Sequence, residues 1–387
     1  MENAARAGHL RAGVIASLVG YTSSFAVVLT GLRAVGATPT QAASGLMAMC
    51  LVQAVCITWL ATRHRMPIAL AWSTPGAALL AGTGAVEGGW SAAVGAFALA
   101  GVGFALTGLW PALGRLVASI PAAIAQAMLA GVVLALCLEP VTALVDQPWA
   151  VTPIVVAWLL GARFFPRWAV PGAFVVAGVV IAVDLVRRGE GVAADALLPR
   201  LDLTAPTLTW AAVVGIALPL FVVTMASQNV PGVAIMASYG YRVPWRDAMV
   251  TTGVGTVAGA AAGGHAVNLA AISAALVAGP DGGDDPAERW RTARAAAGTY
   301  VVLGLLSSAI AAVVLVAPPG VVASVAGLAL LGTLAAALQA AVSESTGREV
   351  AVVTFLVAAS GTSIAGIGAA FWAVVAGLVV HVVLRRR

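Results

Sequence analysis

The chain reads as an all-α polytopic membrane protein with fourteen transmembrane segments, built as two inverted repeats of seven, in which segments 3 and 10 are each a short strand plus a half-helix. Three observations predict this class: an apolar composition, arginines that favour one side, and an echo between two interrupted apolar stretches. With 61% apolar and 9% charged residues among 387, and a mean hydropathy of +1.01, the chain lacks the polar surface of a soluble globule, which carries about 25% charged residues. A span needs roughly 20 apolar residues, so membrane segments consume the length and leave no soluble domain.

Apolar runs bounded by charge, Pro and Gly place the segments near 12–33, 42–62, 67–86, 91–110, 118–138, 149–163, 168–186, 209–238, 247–263, 264–279, 295–317, 320–341, 348–363 and 365–384. With both termini cytoplasmic, the inner connections hold sixteen arginines and the outer ones only Arg33, Arg187, Arg188 and Arg200. That is the bias expected of cytoplasmic loops. All 20 basic residues are Arg, scattered between apolar runs, so the pI of about 9.7 predicts no nucleic-acid partner. Cys50, Cys56 and Cys137 lie inside apolar segments without C-x-x-C spacing and read as small core residues. Met1 to Arg11 carries no cleavage signal, so the first segment is expected to remain as a span. Gly279 to Arg294 reads as a solvated inner loop and Arg187 to Pro206 as the long outer one; Glu139 and Asp184 fall at outer ends of segments.

Ser73-Thr74-Pro75-Gly76-Ala77-Ala78-Leu79-Leu80-Ala81-Gly82 can be laid on Ala270-Ala271-Ile272-Ser273-Ala274-Ala275-Leu276-Val277-Ala278-Gly279 at an offset of 197 residues. Pro39 and Pro244 stand 205 apart, each followed by one full segment and then an interrupted one. An odd number of spans per repeat forces the second copy to be inverted. Inverted repeats with interrupted helices mark secondary transporters, and the interruptions mark their binding sites.

In segment 3, Ser73 or Thr74 offers an N-cap and Pro75 suits the first helical position. In segment 10, Gly263 and Gly264 break the apolar run, and Asn268 is expected to N-cap a half-helix from Leu269 onward. Two half-helix N-termini facing each other would favour an anion between them. The plain alternative is a pair of glycine kinks for close packing; the correspondence between the halves favours a site.

Segment 8 carries Met225-Ala226-Ser227-Gln228-Asn229-Val230-Pro231-Gly232, with a helix-disrupting Pro-Gly, and its counterpart in segment 1 is Thr22-Ser23-Ser24 beside Tyr21. Polar groups inside spans usually face protein or a cavity, so Gln228 and Asn229, with Tyr21 and Ser24, are candidate ligand contacts. Gln126 and Gln339 either line the same cavity from the other side or bond between helices. His265 is the ionisable side chain next to the proposed site, a candidate proton carrier or else a neutral support for the broken backbone. The chain has no H-E-x-x-H motif, paired intramembrane aspartates or plausible Ser/His pair, so neither catalytic residues nor a metal site is expected.

Ala226-Ser227-Gln228-Asn229-Val230-Pro231-Gly232 and Asn268-Leu269-Ala270-Ala271-Ile272, supported by Tyr21 to Ser24 and Trp72 to Gly76, resemble the benzoate/proton symporter family, BenE-type, within the transporters that share the uracil-permease fold. The resemblance covers essentially the whole chain. It implies a core domain of residues 1–115 and 204–318, holding segments 1 to 4 and 8 to 11, and a gate domain of residues 116–203 and 319–387. It also implies proton-coupled uptake of benzoate or a related aromatic carboxylate by alternating access, with no cofactor beyond the coupling proton. The carboxylate is expected between the half-helix ends near Thr74 and Asn268, hydrogen-bonded by Gln228 and Asn229. Nucleobase-transporting relatives use acidic side chains in segments 8 and 10, where this chain offers neutral Gln228, Asn229 and Asn268. Sulfate-type relatives carry a cytoplasmic domain after the last span, whereas this sequence ends at Arg387. The expected setting is a bacterial cytoplasmic (inner) membrane, with lipid and a small aromatic carboxylate as partners and a homodimer left open. The alternatives are a nucleobase or other small-anion transporter of the same fold, or a passive anion channel.

Overall fold

In hydrocarbon every backbone N–H and C=O needs a partner within the protein, and this chain meets that demand with helices along most of its length. The computed structural model describes residues 2–118, 121–270, 272–343, 347–364 and 367–385. Ala271, Ala365, Arg386 and Arg387, which figure in the sequence reading, lie outside them.

α1 (Glu2–Thr22) and α2 (Phe25–Ala34) form one segment broken at Ser23-Ser24, and α3 (Pro39–His64) opens on a Thr38/Gln41 capping box. β1 (Leu70–Trp72) leads into the half-helix α4 (Thr74–Thr83). α5 (Gly89–Leu109), the short α6 (Pro111–Ala118), α7 (Ala122–Asp146), α8 (Pro148–Phe164) and α9 (Ala169–Arg188) follow. α10 (Trp210–Ala212), α11 (Leu218–Thr224) and α12 (Val230–Ser238) are one continuous helix, joined through π-turns at Val213–Ala217 and Met225–Asn229. Then come α13 (Trp245–Ala260), β2 (Val267–Leu269), the half-helix α14 (Ile272–Ala278), the bent pair α15 (Trp290–Leu305) and α16 (Ser307–Leu315), α17 (Val321–Ala341), α18 (Arg348–Ala359) and α19 (Ala369–Arg385). Among the described residues seven helices are long and apolar enough to cross a membrane, and the pair α15 and α16, bent by 48°, makes an eighth.

The helices pack in two groups. α5 lies on α13, α15 on α3 and α1, and α2 on α4; separately, α7 lies on α17 and α18, α18 on α19, and α8 on α9. The groups meet where α4 touches α7 and α2 touches α17. The chain from Asp202 to Thr207, whose first part belongs to the expected outer loop Arg187 to Pro206, lies against one end of the first group: Thr204 N–H donates to Ala261 O at 2.8 Å, Thr207 N–H to Ser91 O at 3.0 Å, and the Trp90 indole N–H to Thr204 Oγ1 at 3.0 Å.

Three expectations are corrected. The fifth segment was placed at 118–138, but α7 runs to Asp146 with Glu139 and Pro140 inside it; Pro140 is buried against Gly327 of α17, so packing carries the helix through. Val230-Pro231-Gly232 does not break segment 8. The π-turn there closes with Val230 N–H on Met225 O, and this widened register brings Pro231 into a new first turn, where its missing N–H is tolerated. Segment 13 is expected to reach residue 363, but α18 stops at Ala359, ahead of Gly361 at φ +62°.

The predicted break at Gly263-Gly264 is where the chain turns out of α13 into β2. Gly263 has φ +91°, and a Cβ there would stand 2.9 Å from the Trp90 ring and 3.2 Å from Gly45 Cα. Ser44 Oγ fixes the turn by donating to Ala262 O at 2.9 Å. Close helix approach depends on small residues elsewhere too: at Gly253 of α13 a Cβ would lie 2.5 Å from Ala105 N and 2.6 Å from Gly101 O of α5. Gly253→Val is therefore expected to cost at least about 1–3 kcal/mol by overpacking, whereas Gly172→Ala, inside α9 with no atom within 4 Å of the new methyl, should cost nothing and gain up to about 1 kcal/mol of helix propensity. Thermal unfolding of the detergent-purified variants checks both.

Candidate functional site

β1 and β2 are antiparallel neighbours, pairing Leu70 with Leu269, Ala71 with Asn268 and Trp72 with Val267. The ladder is extended by Ser73 N–H to Ala266 O and Ala270 N–H to Ala69 O, both 3.0 Å. Two chain breaks that would each strand peptide groups in an apolar interior thus satisfy one another.

α4 starts directly from this crossing. Its N-cap is Ser73, whose Oγ accepts from Gly76 N–H at 3.0 Å and from the Thr224 hydroxyl at 2.7 Å. Ala77 N–H is taken by Ser73 O at 2.8 Å, and Pro75 has no N–H. Thr74 N–H is therefore the donor left at the helix end, where the dipole favours negative charge.

Beside that end lies a cavity with about 670 Å³ of empty space, its open mouth included. Ser23, Ser24, Thr74, Gln228, Ser273 and Thr333 supply its polar wall, and Trp72 and Tyr300 its aromatic one. Val19, Gly20, Ala71, Ala270, Leu276 and Ala329 complete it. The two rings stand 6.4 Å apart at 69°. No Asp, Glu, Arg or His is among these lining residues, so the cavity offers hydrogen bonds and aromatic surface without a formal charge.

Of the residues singled out from sequence, Ser24, Thr74 and Gln228 reach this cavity. Ser24 Oγ accepts from the Trp72 indole N–H at 2.9 Å and so holds one aromatic wall. Tyr21 lies behind the wall, stacked on Phe25 at 5.3 Å and edge-on to Trp72 at 5.5 Å. Ser73 is consumed by capping. Asn229 is fully buried, with Oδ1 accepting from Leu269 N–H at 2.9 Å and Nδ2 against Met225 Sδ at 3.2 Å; it supports the ladder.

Asn268 is not the N-cap expected of it. It stands in the middle of β2 opposite Ala71, its Nδ2 donating to Leu269 O at 2.8 Å, and the ladder holds the backbone extended as far as Ala270, so the half-helix α14 is described only from Ile272. His265 is fully buried ahead of β2, edge-on to Phe97 of α5 at 6.3 Å, and does not line the cavity. Gln126 is half-buried in α7 and Gln339 exposed on α17; neither lines it.

Sequence reasoning missed Trp72, Ser23, Ser273, Tyr300 and Thr333 as lining residues. Ser23 and Trp72 sat in motifs already noted. Tyr300 and Thr333 are single polar-tipped residues in helices distant along the chain, and only the packing of α15 and α17 against the crossing singles them out.

Comparison with known proteins agrees with a transporter. The family described as "Benzoate membrane transport protein" matches residues 3–383. The chain is 37% identical to the "Inner membrane protein YdcO" of Escherichia coli, over 97% of this chain and 95% of that one. It is 29% identical to the "Benzoate membrane transport protein" of Acinetobacter baylyi, over 96% and 94%. Its fold is similar to the transmembrane domain of a cyanobacterial bicarbonate transporter, BicA, at a TM-score of 0.63 and 15% identity over 96% and 97% of the two chains. It is also similar to SLC26A9, at 0.65 and 14% identity over 99% of this chain and 66% of that one. The protein is thus a membrane transporter rather than an enzyme, and it belongs to the BenE family of benzoate membrane transport proteins.

Proposed function

We propose that this protein is an alternating-access symporter that takes up benzoate or a related aromatic carboxylate, together with a proton, across the inner membrane of a bacterium. The observation that carries the reading is the cavity, where neutral donors and the N-terminal end of α4 face an aromatic wall with no carboxylate to repel an anion. The substrate carboxylate sits at Thr74 and Gln228, and its ring packs against Trp72 and Tyr300, as aromatic pairs favour. The name of the Acinetobacter baylyi relative supports the substrate class.

The same reading takes fourteen segments in two inverted repeats, with a core of residues 1–115 and 204–318 moving against a gate of residues 116–203 and 319–387. The antiparallel pairing of β1 with β2 and the two packing groups support it, and the arginine bias supports cytoplasmic termini. The cavity draws Ala329 and Thr333 from the gate and its remaining lining from the core, so relative movement of the two opens and closes it.

No titratable carboxylate, imidazole or amine is among the lining residues, and His265 is buried against Phe97 away from them, so the coupling proton is carried by neither the cavity wall nor His265. In proteoliposomes an alkaline interior is expected to drive accumulation of labelled benzoate, and His265→Asn to keep that dependence. Uptake indifferent to the proton gradient would remove the coupling; loss of gradient dependence in the variant, with exchange retained, would restore His265 as carrier. Non-saturating current would point to a channel, and competition by bicarbonate instead of aromatic acids to an inorganic anion.

Adjacent residues should behave oppositely. Gln228→Ala is expected to weaken benzoate binding about tenfold or more, as for a lost hydrogen bond to a charged group, with an unchanged melting temperature. Asn229→Ala leaves Leu269 N–H unpaired and should cost about 1–3 kcal/mol of stability. Calorimetric binding and thermal unfolding distinguish the two; the reverse pattern would move the carboxylate site from Gln228.

A further inference from the structure

On the outer surface of α3 and α15, away from the transport cavity, runs an apolar groove of about 850 Å³, its open side included. Val55, Trp59, Ala297, Gly298 and Val301 line it, with Arg294 at one end. Its floor is open: no atom lies within 4 Å of where a Cβ on Gly298 would stand. Val55 and Trp59 are 70% and 58% exposed, which on a membrane helix means contact with lipid.

At the Arg294 end, three guanidinium groups surround one buried indole. Arg65, Arg291 and Arg294 lie 4.8, 5.6 and 5.5 Å from the Trp290 ring centroid. Arg291 is ion-paired with Glu288, whereas among the described residues neither Arg65 nor Arg294 has a carboxylate partner. Three cations gathered around one ring repel one another, and an anion beside Arg294 at the groove mouth offsets that repulsion. From Arg294 to Val301 is about 10 Å along the helix, within the roughly 15 Å depth of one leaflet.

We infer that this groove binds an anionic phospholipid, with its phosphate at Arg65 and Arg294 and an acyl chain along the Gly298 floor. The basic cluster lies where α3 ends and α15 begins, with the exposed Trp59 in the groove wall, as Trp and Arg do where membrane helices meet the headgroups, and the groove runs from it along both helices.

Native mass spectrometry of the full chain, re-lipidated with equal phosphatidylglycerol and phosphatidylcholine, tests this. The wild type is expected to retain phosphatidylglycerol about tenfold in preference, as two basic groups near a headgroup allow. Arg65→Gln with Arg294→Gln should bring that ratio near parity. Arg294→Lys should keep most of it, and Gly298→Leu, which fills open space, should lower retention of both lipids. An unchanged ratio in the double variant would overturn the proposal. So would self-cross-linking of Val55→Cys between chains, which would assign the groove to a second copy.

Discussion

A peptide group left unbonded in hydrocarbon costs several kcal/mol, and the arrangement of this protein follows from the one place where that cost is met without a helix. β1 and β2 each lack helical partners and find them in one another, from Ala69 with Ala270 through to Ser73 with Ala266. The pairing fixes where α4 and α14 begin, because neither can start until the ladder ends. It therefore brings Thr74 and Ser273, from the first turns of the two half-helices, to one cavity. A one-residue slip in this ladder would turn each strand's side chains to the opposite face.

The ladder is held from both sides by irregular turns at matching places in the chain. At the 205-residue offset, the break at Ser23-Ser24 corresponds to Gln228-Asn229 in a π-turn; at the 197-residue offset, Trp72 corresponds to Leu269. Ser24 accepts from the Trp72 indole and Asn229 from the Leu269 backbone. Each long segment thus drops one oxygen onto the strand of its own half. π-turns recur at functional sites, and here the turn also takes Asn229 to the strand while Gln228 stays on the cavity side.

The mostly helical membrane character and the two chain breaks were legible because composition and glycine placement are local signals. Direction was not. Gln228 and Asn229 were read together as ligand contacts, yet neighbours on a helix point about 100° apart, and only the packed structure tells which one faces the cavity. Asn268 read as an N-cap because Asn favours that role; what overrides it is a partner strand 197 residues away, which no local pattern reveals. His265 is close to the break in sequence, but the backbone there is extended and carries it toward Phe97. Gln126 and Gln339 show that polarity inside an apolar segment marks a cavity only when the helix face agrees.

The two halves differ at one telling place. Thr224 and Ser73 are joined by a buried hydroxyl–hydroxyl bond, and the same two offsets carry this pair onto Val19 and Ala270. Those two apolar residues cannot bond across the gap, and both line the cavity. Under the proposed repeat, corresponding places are closed by a hydrogen bond on one side and left open on the other. The cavity thus lies beside the pair that lacks a polar clasp, and Gln228 and Ser23, 205 residues apart, both line it. A fully symmetric pair of clasps would seal both sides against a substrate. The open space lies beside the end of α4, while the clasp at Ser73 keeps that helix end in position.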